Sequence, residues 1–210
     1  MVNPNASELL LERRWPAHYV IEAVEKLASF GHRVALIGSR DERPYVDGLY
    51  KRLSDKARAR VVNTAGKLGF GELLALLEGA ACALTNDTGP MHMAIALGRP
   101  TVCLFGPANP EHYGQKSHNI EIFYMPVFCS PCLYEADVPP CDGNNICMQR
   151  IKPEPVVAAV LRLLSVSSQL NGTPPAGEVK SPSVANEAAN GSPLGVVVRE
   201  SLRAAETAHE

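Results

Sequence analysis

The residues best placed to do chemistry form a short loop, residues 85–92 (TNDTGPMH), between an apolar run and a helical pattern. Thr88 and Gly89 can present backbone N–H groups, and the missing side chain of Gly89 lets a ligand approach the backbone closely. Pro90 stands where a helix tolerates proline, and His92 falls in the first turn, where it could donate to an anion. Because free N–H groups and the positive end of a helix attract phosphate, the loop predicts a phosphate site.

Asp87 is unexpected in such a loop, because a carboxylate repels a phosphate. It fits if it holds the loop in shape or contacts the hydroxyl groups of a sugar. The plainer alternative is that Asp87 or Thr88 only caps a helix while His92 is a packing residue. The residues alone leave both interpretations open.

Two other segments have weaker signals. Residues 104–110 (LFGPANP) follow an apolar run and read as a turn, with a plain connection as the alternative. Residues 3–7 end in Ser7, which offers a small hydroxyl group, and Arg13 and Arg14 follow shortly after. Arginine presents a planar set of donors that suits phosphate, although a solvated basic pair beside a packed Trp15 explains the same residues.

Four cysteines lie in a C-x2-C-x8-C-x5-C array, and thiolates in this number suit tetrahedral zinc. The second pair is spaced more widely than in a zinc ribbon or finger, so a metal, a thiol cluster and ordinary buried thiols all stay open. The metal candidates are Cys129, Cys132, Cys141 and Cys147. Cys82 and Cys103 lie in apolar runs and read as packing residues.

Helical and apolar patterns alternate along the chain and must position these loops. The helices are predicted over residues 16–30, 41–53, 70–80, 90–97 and 153–164, and the strands over 33–37, 60–62, 82–85 and 101–105. This alternation predicts an α/β fold, a Rossmann-like three-layer domain with a mostly parallel sheet. In such sheets ligands bind at the carboxyl ends of the strands, where the loop of residues 85–92 is expected.

Composition limits the class of protein. The chain has 210 residues, a net charge of −2 and 46% hydrophobic residues, which describes one globular domain and disfavours a nucleic-acid-binding role. No apolar run reaches the ~18 residues of a membrane span, and no secretory signal is present, so we expect a cytoplasmic protein. We predict a domain over residues 1–165 and a low-complexity, disordered tail over residues 166–210.

The central segment, residues 86–114, resembles the signature of glycosyltransferase family 9, the ADP-heptose:lipopolysaccharide heptosyltransferases and their relatives. Flanking similarities are the RRWP segment at residues 13–16, the LIGS and DE segments at 36–42, and the NTAGKL turn at 63–68, so the resemblance covers about residues 2–165. The matching positions of the central segment are Asp87, Thr88, Gly89, His92, Ala96, Gly98, Pro100, Phe105, Gly106, Pro107 and Pro110.

The resemblance implies a GT-B fold, in which two Rossmann-like halves face each other across a cleft. This chain corresponds to the carboxyl-terminal, donor-binding half, and the amino-terminal acceptor half has no counterpart in it. Since the family places its carboxylate base in that half, no catalytic residue is assigned here. The first strand is short, and we expect the chain to be a fragment or to have a misplaced start.

The implied reaction is inverting transfer of a heptose or related sugar from a nucleotide diphosphate, expected to be an ADP-sugar, to a lipopolysaccharide-type acceptor. No metal cofactor is expected, and a position at the inner face of the membrane fits the acceptor. The donor-binding residues implied are Ser7, Arg13, Asp87, Thr88, Gly89, Pro90 and His92, with residues 40–42 near the ribose or base. A nucleotide-sugar-binding module without turnover and a cysteine-based metal-binding interaction domain are the alternatives.

Overall fold

Six parallel strands form the centre of the computed structural model, which describes residues 1–6, 10–115, 117–133, 135–136 and 138–170. The strand order is β3-β2-β1-β4-β5-β6, which confirms the predicted α/β, Rossmann-like fold. The strands are β1 (Val2–Asn3), β2 (Val34–Leu36), β3 (Val61–Asn63), β4 (Ala83–Asn86), β5 (Thr101–Phe105) and β6 (Ile120–Tyr124).

Helices connect successive strands, as parallel pairing requires. Within the described residues no helix is both long and apolar enough to cross a membrane. A single 3-10 turn occupies Leu11–Arg13. The helices are α1 (Ala17–Ser29), α2 (Arg43–Lys51), α3 (Asp55–Arg58), α4 (Phe70–Glu78), α5 (Gly89–Ala96), α6 (Pro110–Tyr113), α7 (Ile146–Gln149) and α8 (Pro153–Leu170).

The short strand β1 lies in the middle of the sheet and sets the geometry of its carboxyl edge. Val2 pairs with Leu36 of β2 on one side and with Leu84 of β4 on the other. The same register places Asn3 beside Thr85. The ends of β1 and β4 therefore meet, although they lie far apart in the sequence.

The core explains why the apolar runs are continuous rather than alternating. Every residue of β4 and β5 is buried, as expected when helices cover both faces of a sheet. Helices α1 and α8 pack against each other, and Trp15 lies buried beneath them. Its indole Nε1–H donates to the backbone carbonyl of Ile151 at 2.8 Å.

Several elements differ from the sequence prediction. The edge strand β6 (IEIFY) was not predicted; Glu121 interrupts its apolar residues, and all five residues are only half-buried. Helix α3 was also missed, although Ser54 caps it by accepting from the Ala57 N–H at 3.2 Å. Helix α8 continues to Leu170, beyond its predicted end at residue 164. Residues 171–210, most of the predicted tail, lie outside the described residues.

Two valines on different strands test this description of the core. Val102 in β5 is fully buried, whereas Val62 in β3 is 54% exposed. We expect Val102→Ala to lower the free energy of unfolding by about 2 kcal/mol, through lost burial and a residual cavity. Val62→Ala is the matched control and should change it by less than about 0.5 kcal/mol. Urea denaturation of both variants measures the difference, and equal losses would contradict the assignment of the core.

Candidate functional site

A pocket of about 290 Å³ opens at the carboxyl edge of the sheet, between the ends of β1 and β2 and the first turns of α4 and α5. Of the predicted site residues, Thr88, Gly89 and Pro90 line it. The full lining is Asn3, Ile37, Gly38, Ser39, Glu42, Leu68, Gly69, Phe70, Leu73, Thr88, Gly89, Pro90 and Met93.

The loop before α5 has the conformation that an anion site needs. Thr88 is the residue before the helix and has an extended backbone (φ −155°, ψ 174°), while Gly89 and Pro90 begin the helix. The Asp87 N–H donates to the Leu104 carbonyl at 3.1 Å, which ties the loop to β5. Pro90 has no N–H, and the Met91 N–H donates to the Thr88 carbonyl at 3.0 Å, so the N–H groups of Thr88 and Gly89 are the candidates for a ligand at the start of α5.

A closed cycle of hydrogen bonds holds this loop from below. The side-chain amide of Asn3 donates to the hydroxyl oxygens of Thr85 at 3.1 Å and Thr88 at 2.8 Å. Both hydroxyls donate to the same acceptor, the backbone carbonyl of Asn86, at 2.8 and 3.3 Å. Asn3 is 4% exposed and Thr85 is fully buried, so these groups must satisfy one another.

Asn5 extends this network to β2. Its backbone N–H and its side-chain amide both donate to the Asn3 side-chain oxygen at 3.3 Å. The Asn5 amide also donates to the Ile37 carbonyl, and the Asn86 amide donates to the Asn5 carbonyl, each at 2.8 Å. Gly38 has no room for a side chain, because an added Cβ would lie 2.8 Å from the Asn5 amide nitrogen. The ends of three strands are thus locked together.

Asp87 and Arg13 form a largely buried ion pair, and neither residue lines the pocket. The Arg13 guanidinium donates to the Asp87 carboxylate at 3.2 Å and to its backbone carbonyl. Burial raises the pKa of the Asp87 carboxyl above its ordinary value, and the positive charges of Arg13 and His92 oppose that rise. The carboxylate whose presence near a phosphate was unexpected is therefore paired with a cation.

The opposite wall of the pocket is apolar, with a polar corner at Ser39 and Glu42. The Ser39 N–H donates to the Glu42 carboxylate at 2.8 Å, and the Glu42 N–H donates to the Ser39 hydroxyl at 3.2 Å, which shapes the turn into α2. Phe70 is 67% exposed although it lines the pocket, so its ring lies at the entrance. The apolar wall consists of Leu68, Phe70, Leu73, Pro90 and Met93.

The structure places the other predicted site residues around the pocket rather than in its lining. Arg13 donates to Asp87, and its expected role as a phosphate ligand stays a prediction. His92 lies exposed in the first turn of α5, close enough for its charge to affect Asp87. Ser7 lies outside the described residues.

The cysteine array gains no support as a metal site. The four thiols fold into one region, since those of Cys129, Cys132 and Cys141 each act electrostatically on Cys147. Burial is the main cause that raises the pKa of Cys147 to about 11, so this thiol stays protonated near neutral pH. In the part of the chain that the structure describes, no group of three or more His, Cys, Asp or Glu side chains is placed to hold a metal ion. Cys82 and Cys103 are buried, as predicted.

A second cavity, of about 760 Å³, lies at the amino-terminal edge of the sheet. It is larger, but its lining is mainly small and apolar residues around the starts of β1 to β4, and it contains none of the residues of the polar network. Because ligands of open parallel sheets bind at the carboxyl edge, the smaller pocket is the candidate site.

Sequence reasoning missed the residues that hold the loop in place, namely Asn3, Asn5, Thr85 and Asn86. It also missed the apolar wall formed by Leu68 and Phe70. The sequence did contain one signal for these residues. Strands β1 and β4 both end in polar residues, and a parallel sheet brings the ends of its strands to the same edge. Their partners could not be read from the sequence, since the register of β1 and β4 determines them.

Comparison with known proteins identifies a family and a fold that this chain resembles. Residues 1–141 match the profile of "Glycosyltransferase family 9 (heptosyltransferase)". Lipooligosaccharide heptosyltransferase 2 of Haemophilus influenzae is 35% identical over 100 residues, which is 48% of this chain and 29% of that protein. The ADP-heptose LPS heptosyltransferase II of Escherichia coli superimposes with a TM-score of 0.68 at 26% identity, over 80% of this chain and 46% of that one.

A family 9 glycosyltransferase from Veillonella parvula gives a TM-score of 0.64 at 26% identity, over 79% of this chain and 46% of that chain. The chain thus spans less than half the length of each of these three proteins. The similarity concerns the domain described here, and more than half of each relative lies outside the matched region.

Removing the arginine of the buried pair tests the electrostatics of the site. We expect Arg13→Met to lower the free energy of unfolding by about 3 kcal/mol at pH 7, because Asp87 is left as an unpaired buried charge. The pKa of Asp87 is already raised by burial and should rise further in the variant, so the folded state favours the protonated acid. The loss is therefore fully present above the raised pKa and shrinks as the pH falls towards the ordinary carboxyl value of about 4.

Arg162 provides the matched control, because it pairs with Glu121 in a bidentate geometry but is 58% exposed. Arg162→Met should cost less than about 1 kcal/mol. Urea denaturation at several pH values measures both variants. A loss for Arg13→Met that is the same at pH 5 and pH 7 would contradict the assigned role of Asp87.

Proposed function

The chain belongs to glycosyltransferase family 9, and from this premise we propose that it binds the nucleotide-diphosphate sugar donor of a heptosyltransferase-type reaction. One observation carries the proposal. The amino-terminal end of α5, with the bend at Thr88 and Gly89, opens into a pocket that has an apolar wall and lies at the carboxyl edge of a parallel sheet.

The apolar wall suits the base of the nucleotide. Leu68 and Met93 offer flat apolar contact, and the exposed ring of Phe70 at the entrance can stack on a base. The carboxylate of Glu42 lies at the polar corner, where it can accept from ribose hydroxyls. The pocket volume of about 290 Å³ is at the lower end of the range of small-molecule sites, about 300–1,000 Å³. A nucleoside fits this description, and the relative from E. coli is named for ADP-heptose.

The diphosphate then lies against the start of α5. The N–H groups of Thr88 and Gly89 donate to its oxygens, and the positive end of the helix dipole offsets part of its charge. Asp87 repels the diphosphate little, because Arg13 neutralises it. No metal ion is part of this proposal, which uses main-chain donors that are fixed before the ligand arrives.

The proposed reaction is inverting transfer of a heptose or related sugar to a lipopolysaccharide-type acceptor. As the bond between the sugar and the diphosphate breaks, negative charge grows on the leaving phosphate oxygen, and the Thr88 and Gly89 donors stabilise it. In this proposal the acceptor site and the base that deprotonates the acceptor belong to a separate acceptor half, as the family resemblance implies. Because such an acceptor is lipid-linked, we place the activity in the cytoplasm, at the inner face of the membrane.

Calorimetric titration with ADP tests the proposal, with Gly89→Ala as the informative variant. An added Cβ on Gly89 meets only the Met93 methyl, at 3.9 Å, so the variant should fold normally. Its methyl group occupies space that the pocket leaves open and keeps phosphate oxygens away from the N–H groups. We expect the wild type to bind ADP and Gly89→Ala to bind it at least about tenfold more weakly, through the loss of charge-assisted hydrogen bonds.

Gly48→Ala is the matched control, because Gly48 lies within α2 and an added Cβ there meets nothing within 4 Å. It should leave ADP affinity unchanged. Absence of ADP binding by the wild type, or equal affinity of the wild type and Gly89→Ala, would contradict the assignment of the pocket.

A further inference from the structure

We propose that Asn3 is a positioning residue of the donor site, which holds the Thr88 hydroxyl and thereby directs the N–H groups of Thr88 and Gly89 towards the diphosphate. The inference rests on the proposed function, because it concerns the same pocket. It assigns a role to a residue whose two amide N–H groups both bind threonine hydroxyls and that the sequence analysis did not single out.

Each donor in the hydrogen-bond cycle of Asn3, Thr85, Asn86 and Thr88 has an acceptor within the cycle. The Asn3 amide nitrogen has two N–H donors, and one hydroxyl accepts each of them. A hydroxyl has a single O–H donor, and those of Thr85 and Thr88 are both directed to the Asn86 carbonyl. Every donor in the cycle is therefore used inside the protein.

The backbone N–H of Asn5 fixes the orientation of the Asn3 side-chain amide. Its oxygen accepts from the backbone N–H of Asn5, which can only donate, so the nitrogen of the amide must face the two threonines. The reverse orientation would place an acceptor oxygen against the Asn86-bound hydroxyls and an N–H group against the Asn5 N–H. The cycle therefore has one arrangement, and Asn3 is only 4% exposed, so solvent cannot replace it.

Thr88 has two hydrogen-bond donors that a ligand could use, its side-chain hydroxyl and its backbone N–H. Its O–H is committed to the Asn86 carbonyl, so it has no donor left for a phosphate oxygen, which can only accept. Its backbone N–H remains. The hydroxyl thus acts as an anchor that keeps the residue extended at the start of α5, and Asn3 supplies the shorter and better of its two hydrogen bonds, at 2.8 Å against 3.3 Å.

Two ligands separate positioning from direct contact and from general damage. Adenosine uses the apolar wall but not the phosphate loop, whereas ADP uses both. We expect Thr88→Val and Asn3→Ala each to weaken ADP binding about five- to tenfold, the size of a lost hydrogen bond, while the affinity for adenosine stays within twofold. Thr88→Ser keeps the hydroxyl and should bind ADP like the wild type.

The double variant and a matched control complete the titrations. If Asn3 acts through Thr88, adding Thr88→Val to Asn3→Ala should weaken ADP binding by less than twofold further. Thr101→Val is the control, because it also removes a threonine hydroxyl that donates to a backbone carbonyl, that of Arg99 at 2.7 Å, but at the amino-terminal edge of the sheet. It should change neither affinity.

A measurement without ligand keeps the inference separable from the proposed function. The Asp87 N–H, which donates to the Leu104 carbonyl, reports on the loop. Its hydrogen exchange should be about tenfold faster in Thr88→Val and unchanged in Thr88→Ser, while that of Cys103 within β5 reports on global opening. If the exchange rates change in this way but the wild type does not bind ADP, the proposed function is wrong, while the role of the Thr88 hydroxyl in holding the loop is confirmed.

Three results would overturn the role of Asn3. The first is wild-type ADP affinity in Asn3→Ala while Thr88→Val is impaired, which would mean that the Thr88 hydroxyl touches the phosphate directly. The second is a parallel loss of ADP and adenosine affinity, which would indicate damage to the whole pocket. The third is an unchanged exchange rate of the Asp87 N–H in Thr88→Val.

Discussion

Buried polar groups need partners, and this requirement organises the carboxyl edge of the sheet. Strands β1 and β4 end in polar residues that helices on both faces leave almost without solvent. Asn3, Thr85, Asn86 and Thr88 form a closed cycle of hydrogen bonds, and Asn5 binds the side-chain oxygen of Asn3 and the side-chain amide nitrogen of Asn86. These hydrogen bonds fix the conformation of the loop before α5 and therefore the direction of its backbone N–H groups.

At the same edge of the sheet, the Asp87 carboxylate lies next to the proposed anion site and is paired with Arg13. Asp87 is nearly buried and its pKa is raised, which shows that its charge is poorly solvated. Arg13 compensates by binding both the carboxylate and the backbone carbonyl of the same residue. The Arg13–Asp87 pair holds Asp87 in place, and the hydrogen bonds of Asn3 hold Thr88 in place. The pocket itself is left with main-chain donors on one wall and apolar side chains on the other.

This arrangement suits a domain that supplies one substrate to a reaction completed elsewhere. The family 9 relatives are more than twice as long as the part that this chain matches. In the proposed function the domain holds a nucleotide sugar rigidly, and the acceptor and its base come from another half. Rigid main-chain donors are well matched to that task, because they need no rearrangement when charge develops on the leaving diphosphate.

The alternation of apolar runs and helical patterns was enough to predict the α/β fold, the strand Thr101–Phe105 and the start of a helix close to Thr88 and Gly89. These features depend on neighbours in the sequence, where burial leaves a readable pattern. Strand β6 was missed because Glu121 interrupts its apolar residues, which an edge strand with half-buried residues tolerates. The contacts of Asn3 with Thr88 and of Arg13 with Asp87 join residues 85 and 74 positions apart. Only the parallel pairing of β1 with β4 brings them together, because the register of a sheet depends on the packing of the whole domain rather than on local spacing.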